Sequence, residues 1–439
     1  MKIKKKLKNQ IIIFSIVLIT LLVFGGIVID NLSKKEADIL IFYHWWTSPG
    51  EQAAINALIN YFSENNPNTT ILPTPIISKN SGGGGVAMFE VVKPMVFAGE
   101  APDAFQMHAG YGAKLYFDAD LLHPVDNIWE SENLTKVAPR IVQAMCRFNG
   151  HYYSVPINVH RTNVVWYNKE LLDRNNINPN SLNTWENFFD ACDKLKESGI
   201  QYPIQMGTIW TAQHTFDQII ASIGIDFYED WVNGNVTSSE DPRILEAFNI
   251  FKKYLSYVNP DNAEIGWDQA TAKVISGESA FNMMGDWANG EFKAAGKKYN
   301  EDYGTFTVPE TEDKFGIVID AFQRPKYIKH SENSEKWLKF VASKEGQDIF
   351  NPLKGSISTR VDTDIEKYDS YQQSAIKDLL TTKYIFPAVS NGLPKSFEQK
   401  EQEIIAEFTK DFDINKAIKS ITDYTKTTSN EYTIVWELN

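Results

Sequence analysis

The chain is poor in cysteine. Cys146 and Cys192 are the only two among 439 residues. A disulfide framework and a cysteine-based zinc site are therefore excluded, and a single bridge between the pair stays open. Cys192 falls in a helical pattern over Trp185–Leu195 and is expected to pack as a small hydrophobe. Positive charge is also scarce. Lys and Arg number 43 against 56 Asp and Glu, for a net charge of −13. Five lysines (Lys2, Lys4, Lys5, Lys6 and Lys8) crowd into the first ten residues, so the remainder of the chain is more acidic still. This excludes general nucleic-acid binding by phosphate neutralisation and argues against attachment to anionic lipid by surface charge. The seven histidines form no H-E-x-x-H or other compact metal pattern, and G-x-S-x-G is absent. No metal and no cofactor are expected. The four glycines Gly82–Gly85 are not a phosphate loop, which requires G-x-x-x-x-G-K-[ST]. The nearest run, Gly290–Lys298, has the wrong spacing and lacks the hydroxyl residue. The glycines read as a mobile loop, and ATP hydrolysis by this chain is excluded.

One long apolar run is present. Residues 11–29 are interrupted only by Ser15, Thr20 and two glycines, a length that matches a membrane span of roughly 20 residues. The lysines before it predict a cytoplasmic N-terminus, with everything after Asp30 outside. A cleaved signal peptide is the competing reading. No small-x-small site comes after the run and no cysteine stands there to carry a lipid, so an uncleaved anchor is favoured. Residues 1–37 then comprise a lysine cluster, an anchor and a charged tether. The sequons at Asn31, Asn68, Asn133 and Asn235 are compatible with an exported domain.

The rest has the composition of a globular protein, 43% hydrophobic and 23% charged, with 11 Trp, and is long enough for two or three domains. Ile39–Tyr43, Glu51–Glu64 and Thr70–Ile77 read as strand, helix and strand, the opening of a doubly wound sheet. A helix over Met88–Ala98 and a strand over Pro102–Met107 come next. Tyr152–Asn158 and Asn163–Tyr167 read as extended. Amphipathic helices succeed them: Trp185–Glu197, Thr215–Ile223 and Arg243–Val258. A strand pattern returns at Phe315–Ala321, and Trp337–Phe350 reads as one helix. This alternation predicts two α/β lobes with the chain crossing between them more than once.

The most telling stretch is His44-Trp45-Trp46-Thr47-Ser48-Pro49-Gly50-Glu51, at the carboxyl end of a strand. Neighbouring strand residues point to opposite faces, so one of the two rings is expected to face a crevice. Flat rings beside a carboxylate suit a sugar. The rings cover its C–H faces and Glu51 accepts from its hydroxyls. Similar placements occur elsewhere. His108 ends a strand in Gln106-Met107-His108. Trp267 and Trp287 sit beside turns in Gly266-Trp267 and Gly285-Asp286-Trp287. Asp320 is expected to end an apolar strand, where a carboxylate needs partners. Lys354 falls after a helix, where most lysines are simply solvated.

Together these segments resemble the extracellular solute-binding proteins of ABC sugar importers, with most likeness to the glucose/mannose-binding members. The runs that carry the resemblance are Trp45-Trp46-Thr47 with Glu51, Ala98–Gly110, Val155–Asn163, Phe281–Trp287 and Asn351–Ile357. The resemblance covers roughly residues 38–430. It implies a two-lobe periplasmic-binding-protein-like α/β fold (type II) with a ligand cleft and a hinge between the lobes. Lobe 1 would comprise 38–158 and 312–360, and lobe 2 159–311 and 361–439. Trp45 and Trp46 would flank a monosaccharide ring, Glu51, Gln106 and His108 would hydrogen-bond to it, and Trp267 would close over it. Trp287, Asp320 and Lys354 would complete the shell, with Asn158 and His160 at the first crossing. The implied partners are a glucose- or mannose-like sugar and the permease subunits of an ABC importer, the receptor itself being monomeric and non-enzymatic. Relatives carry His-Gly where this chain has Asn391-Gly392, which leaves the sugar open. A disaccharide or polyol ligand is the alternative. A more distant one is an anchored glycoside hydrolase using Glu51, Asp286 and Asp320.

Overall fold

The computed structural model describes residues 38–77 and 83–428. The expected anchor at 11–29 lies outside them. Among the described residues, no helix is long and apolar enough to cross a membrane.

The larger sheet starts with β1 (Ile39–His44), which buries Leu40, Phe42 and His44 on one face. It pairs in parallel with β2 (Thr70–Pro75) and β3 (Ala104–His108). Parallel neighbours need long crossovers. These are α1 (Pro49–Asn65) after β1 and α2 (Gly83–Phe97) after β2. α1 begins sharply because Ser48 is extended and Pro49, with its pre-set φ, takes the first helical position. A short hairpin, β4 (Arg147–Phe148) and β5 (His151–Tyr152), precedes β6 (Ser154–Arg161), which is buried throughout. β7 (Val164–Asn168) lies between β8 (Phe281–Met283) and β9 (Tyr303–Thr307) in an antiparallel second sheet. The long β10 (Lys314–Gln323) returns to the first sheet. It pairs antiparallel with β6 along one edge; along the other it pairs antiparallel with β3 and parallel with β11 (Tyr384–Pro387).

Two large apolar clusters accompany the two sheets, and the fold is a two-lobe α/β architecture. One cluster is built around Leu40, Phe42, Ile317, Phe322 and Trp337. The other gathers Val165, Phe188, Phe216, Phe251 and Phe281, together with Val389, Phe397 and Phe408 from the C-terminal helices. The first cluster also takes in Trp166, Phe292, Tyr303 and Tyr371, so the lobes share apolar contact on one side. Cys146 packs in the first cluster and Cys192 in the second, and both are free thiols.

The chain passes between the sheets at 161–164 and again at 307–314. Asn163 fastens these crossings together. Its Nδ2 donates to Thr311 Oγ1 and Lys314 O, both at 3.0 Å. Its Oδ1 accepts from Gly316 N at 3.1 Å and Arg161 Nε at 3.2 Å.

Three elements depart from the sequence-based expectations. The glycine run is not simply a loop, because α2 begins at Gly83. The expected single helix over Trp337–Phe350 is two, Ser331–Ala342 and α6 (Lys344–Lys354), with α6 starting afresh where extended Ser343 accepts from Gly346 N. The helix expected from Thr215 begins six residues earlier as α3 (Ile209–Ile223). Three further helices bear on the site: α4 (Trp267–Ile275), α5 (Ala288–Ala294) and α7 (Lys395–Asp411).

Candidate functional site

A cleft of about 1460 Å³ lies between the lobes, and the carboxyl ends of β1 and β3 open into it. Of the expected residues, Trp45, Trp46, Glu51, His108, His160, Trp267, Trp287, Asp320 and Lys354 line it.

The two adjacent tryptophans divide as strand geometry requires. Trp46 is fully buried, its ring 4.7 Å from that of Phe350 and 5.9 Å from that of Phe322. It touches the cleft but belongs to the core. Trp45 is half-buried and stands edge-on to His108, ring centres 5.0 Å apart. Gln106 does not reach the cleft. It is fully buried, and its Oε1 accepts from Trp45 N at 3.0 Å, fixing the backbone from which that ring projects.

Glu51 is already engaged. Its Oε2 accepts from Thr47 N at 3.0 Å and Ser48 N at 3.3 Å, one half of a capping box. Its other oxygen lies 3.2 Å from Lys354 Nζ. Lys354 is therefore not a solvated loop residue. It ends α6, is 1% exposed, and joins the carboxyl end of α6 to the amino end of α1. Both charges sit at the helix ends that favour them. Glu291 braces the same corner, accepting from Ser48 Oγ at 2.7 Å and Gly50 N at 3.0 Å.

The floor is a chain of ionisable groups. Asp320 lies within β10 rather than at its end, and a bulge between Asp320 and Ala321 breaks the register with β6. Such bulges re-aim side chains. Asp320 Oδ2 accepts from Asn158 Nδ2 at 3.1 Å and lies 3.4 Å from His160 Nε2. Its Oδ1 is 3.6 Å from His108 Nε2. His160 Nδ1 hydrogen-bonds to Asp286 Oδ1, whose other oxygen accepts from Arg161 N at 2.9 Å. Burial pushes the Asp320 carboxyl up, but the hydrogen bond and charge of His160, with His108 and Lys354, outweigh it and hold Asp320 ionised. Burial and Lys354 oppose protonation of His160, and the two aspartates overcome them and raise it. Burial depresses His108, and Asp320 offsets this only in part. Burial alone takes His44 down to about 4.

Asn158 and Asn391 do not line the cleft. Asn158 braces Asp320 from both ends, its Oδ1 accepting from Asp320 N at 3.1 Å. Asn391 is fully buried and donates to Ala109 O at 3.0 Å, tying a third crossing, where the chain leaves the first sheet after β11, to that sheet. The three carboxylates weighed for hydrolysis are all committed. Glu51 is paired with Lys354, Asp286 with His160, and Asp320 with Asn158 and the histidines.

The opposite wall holds residues that the sequence patterns above do not single out. Trp210, Gln213, His214 and Asp217 line the cleft from α3. Their i, i+3, i+4, i+7 spacing, a stripe of Trp, Gln, His and Asp along one face of the helix, is the signal that identifies them. The Trp210 and Trp287 rings lie 6.2 Å apart, and His214 stands 5.8 Å from Trp287. Behind this wall Asp217 and Glu401 hydrogen-bond to each other, both almost wholly buried. Glu401 also accepts from Gln213 Nε2 at 2.7 Å and Trp231 Nε1 at 2.8 Å. Burial pushes both carboxyls up, Glu401 to about 7, and Glu398 adds to the shift. The pair holds one proton between its carboxylates.

Residues 45–348 match the bacterial extracellular solute-binding proteins as a family. An uncharacterized ABC transporter extracellular-binding protein of Pyrococcus horikoshii is 41% identical over 88% of this chain and 87% of that one. A probable sugar-binding periplasmic protein of Rhizobium meliloti is 30% identical over 84% of this chain and 88% of that one. Among solved structures, the bacterial solute receptor AcbH, described as exclusive for β-D-galactopyranose, matches with a TM-score of 0.77 at 18% identity, over 89% of this chain and 99% of that one. That likeness is one of fold. The chain thus belongs to the bacterial extracellular solute-binding protein family, as a receptor and not an enzyme.

Proposed function

We propose that this protein is an extracellular sugar receptor that delivers its ligand to the permease of an ABC importer. The observation that carries the reading is the aromatic cleft. Half-buried tryptophans face it from both lobes, Trp45 on one side and Trp210, Trp267 and Trp287 on the other, around Asp320 and His108. The rings take the C–H faces of a pyranose, Asp320 accepts from its hydroxyls, and His108 donates or accepts. Glu51 and Lys354 hold the floor that the sugar rests on, and Gln106, Asn158 and His160 hold the groups that touch it. Asn391 acts at a distance, through the crossing it ties. The moving bodies are the two lobes, hinged where Asn163 fastens the crossings. A ligand that touches both shifts the population toward a closed form. The closed monomer docks on the permease.

The first ligand to test is a glucose- or mannose-like monosaccharide. A disaccharide or longer glycan is favoured by one observation, the cleft of about 1460 Å³. Ordinary small-ligand sites run to roughly 300–1,000 Å³. Calorimetry with glucose, mannose, galactose and common disaccharides is the test. The expected result is tight binding to one of them with altered Trp fluorescence. Trp45→Ala should weaken it at least about tenfold, near 1.4 kcal/mol. No heat with any of these sugars would refute the reading.

A further inference from the structure

The glycine run has no role in that reading, yet two of its members, Gly84 and Gly85, line the cleft. We propose that Gly84 is the positioning residue for Trp45, and that its lack of a side chain sets the width of the cleft and so the ligands it admits. The proposal rests on the sugar-receptor reading. Backbone conformation does not explain the glycine. Gly84 and Gly85 lie in the first turn of α2, outside the positive-φ glycines, and alanine is the better helix former. Space explains it. A Cβ on Gly84 would stand 2.4 Å from Trp45 Cγ, 2.5 Å from Cδ1 and 2.7 Å from Cβ. These atoms are the root of the ring and cannot swing away as its tip could.

Neither partner is free to retreat. The Trp45 backbone is held by Gln106, and its ring edge meets His108. α2 is held by its own core, where Met88, Val92 and Val96 pack against Phe105, Met107 and Tyr116. A methyl at position 84 must therefore turn the Trp45 ring into the cleft. Gly85 differs. Its Cβ would lie 3.2 Å from His108 Cε1, the outer edge of the imidazole, which yields by a few tenths of an ångström.

The test is a mutant cycle on the full chain with the sugar that binds the wild type. Gly84→Ala should weaken binding at least tenfold and shift the Trp emission of the ligand-free protein. Both effects should vanish in a Trp45→Ala background. Gly85→Ala should weaken binding about twofold to threefold, and not at all in a His108→Ala background. Unchanged affinity and emission in Gly84→Ala would overturn the proposal. So would a loss that persists without Trp45, which would mark general damage. If circular dichroism shows Gly84→Ala unfolded, Gly85→Ala reads the same wall: a loss that needs His108 supports the proposal, and no loss overturns it. If the wild type binds no sugar, the receptor reading fails, and the ligand-free emission of Gly84→Ala still decides the seat of the ring, shifted or not.

Discussion

Asp217→Asn isolates the proton held between α3 and the helix Lys395–Asp411. In the native protein Asp217 and Glu401 are buried in mutual hydrogen-bond contact. Glu401 is raised from 4.5 to about 7. Proton counts give the sign. Between those values the folded protein keeps a proton that the unfolded chain has released, so stability falls as pH rises. This contribution is fully present below about 4.5 and gone above about 7. A shift of that size corresponds to roughly 3 kcal/mol across the window. An asparagine at 217 supplies a permanent N–H to Glu401 and removes the like charge. Glu401 keeps its donors Gln213 and Trp231 and then ionises at lower pH. The variant should lose about 3 kcal/mol less than wild type between pH 5 and pH 8, read from urea midpoints without ligand. Titrations outside the Asp217–Glu401 pair are common to both proteins and cancel in the difference. A stability difference constant across the range would refute the shared proton.

Two further perturbations test the joints around the cleft. Lys354→Met strands buried Glu51 and should cost about 3–5 kcal/mol in urea unfolding, most of it recovered in Lys354→Met/Glu51→Gln, where no charge is left unpaired. Asn163→Ala frees Gly316 N and two acceptors at the crossings, and should cost about 3 kcal/mol and lower the unfolding midpoint while leaving far-UV circular dichroism unchanged.

The local elements are legible in sequence because period and punctuation agree in them. The helix read over Glu51–Glu64 is α1, which Pro49 after Ser48 starts two residues earlier, and the apolar run before His44 marks β1. The helix Trp185–Glu197 matches its pattern end to end. What escapes depends on contacts between distant segments. Lys354 looks solvated in sequence because Glu51, its partner, is three hundred residues away along the chain. Asp320 looks like a strand end because apolar residues precede it, and β10 continues only because β3 and β6 pair with it beyond that point. Asn391 looks like a ligand contact by position, whereas Ala109 O takes its amide. The polar stripe on α3 is legible in principle. It escapes because a helix begun at Thr215 cuts off Trp210, Gln213 and His214.

The electrostatics of the floor bear on what kind of ligand fits. Glu51 is matched by Lys354 at 3.2 Å, Glu398 by Lys395 at 2.7 Å, and Asp320 by His160 and Asn158. Asp217 and Glu401 share a proton. A charged ligand would have to break into one of these pairs and leave a buried charge uncompensated, which costs several kcal/mol. A neutral polyol needs only hydrogen bonds and ring contacts, and leaves the pairs standing. Its affinity should therefore be nearly indifferent to salt, because exposed charges take no part and buried pairs are poorly screened. Calorimetry between about 0.02 M and 0.5 M sodium chloride, over which the screening length falls from roughly 20 Å to 4 Å, should give dissociation constants within about twofold. A tenfold weakening across that range would show that long-range attraction drives binding, and the ligand would then have to carry charge.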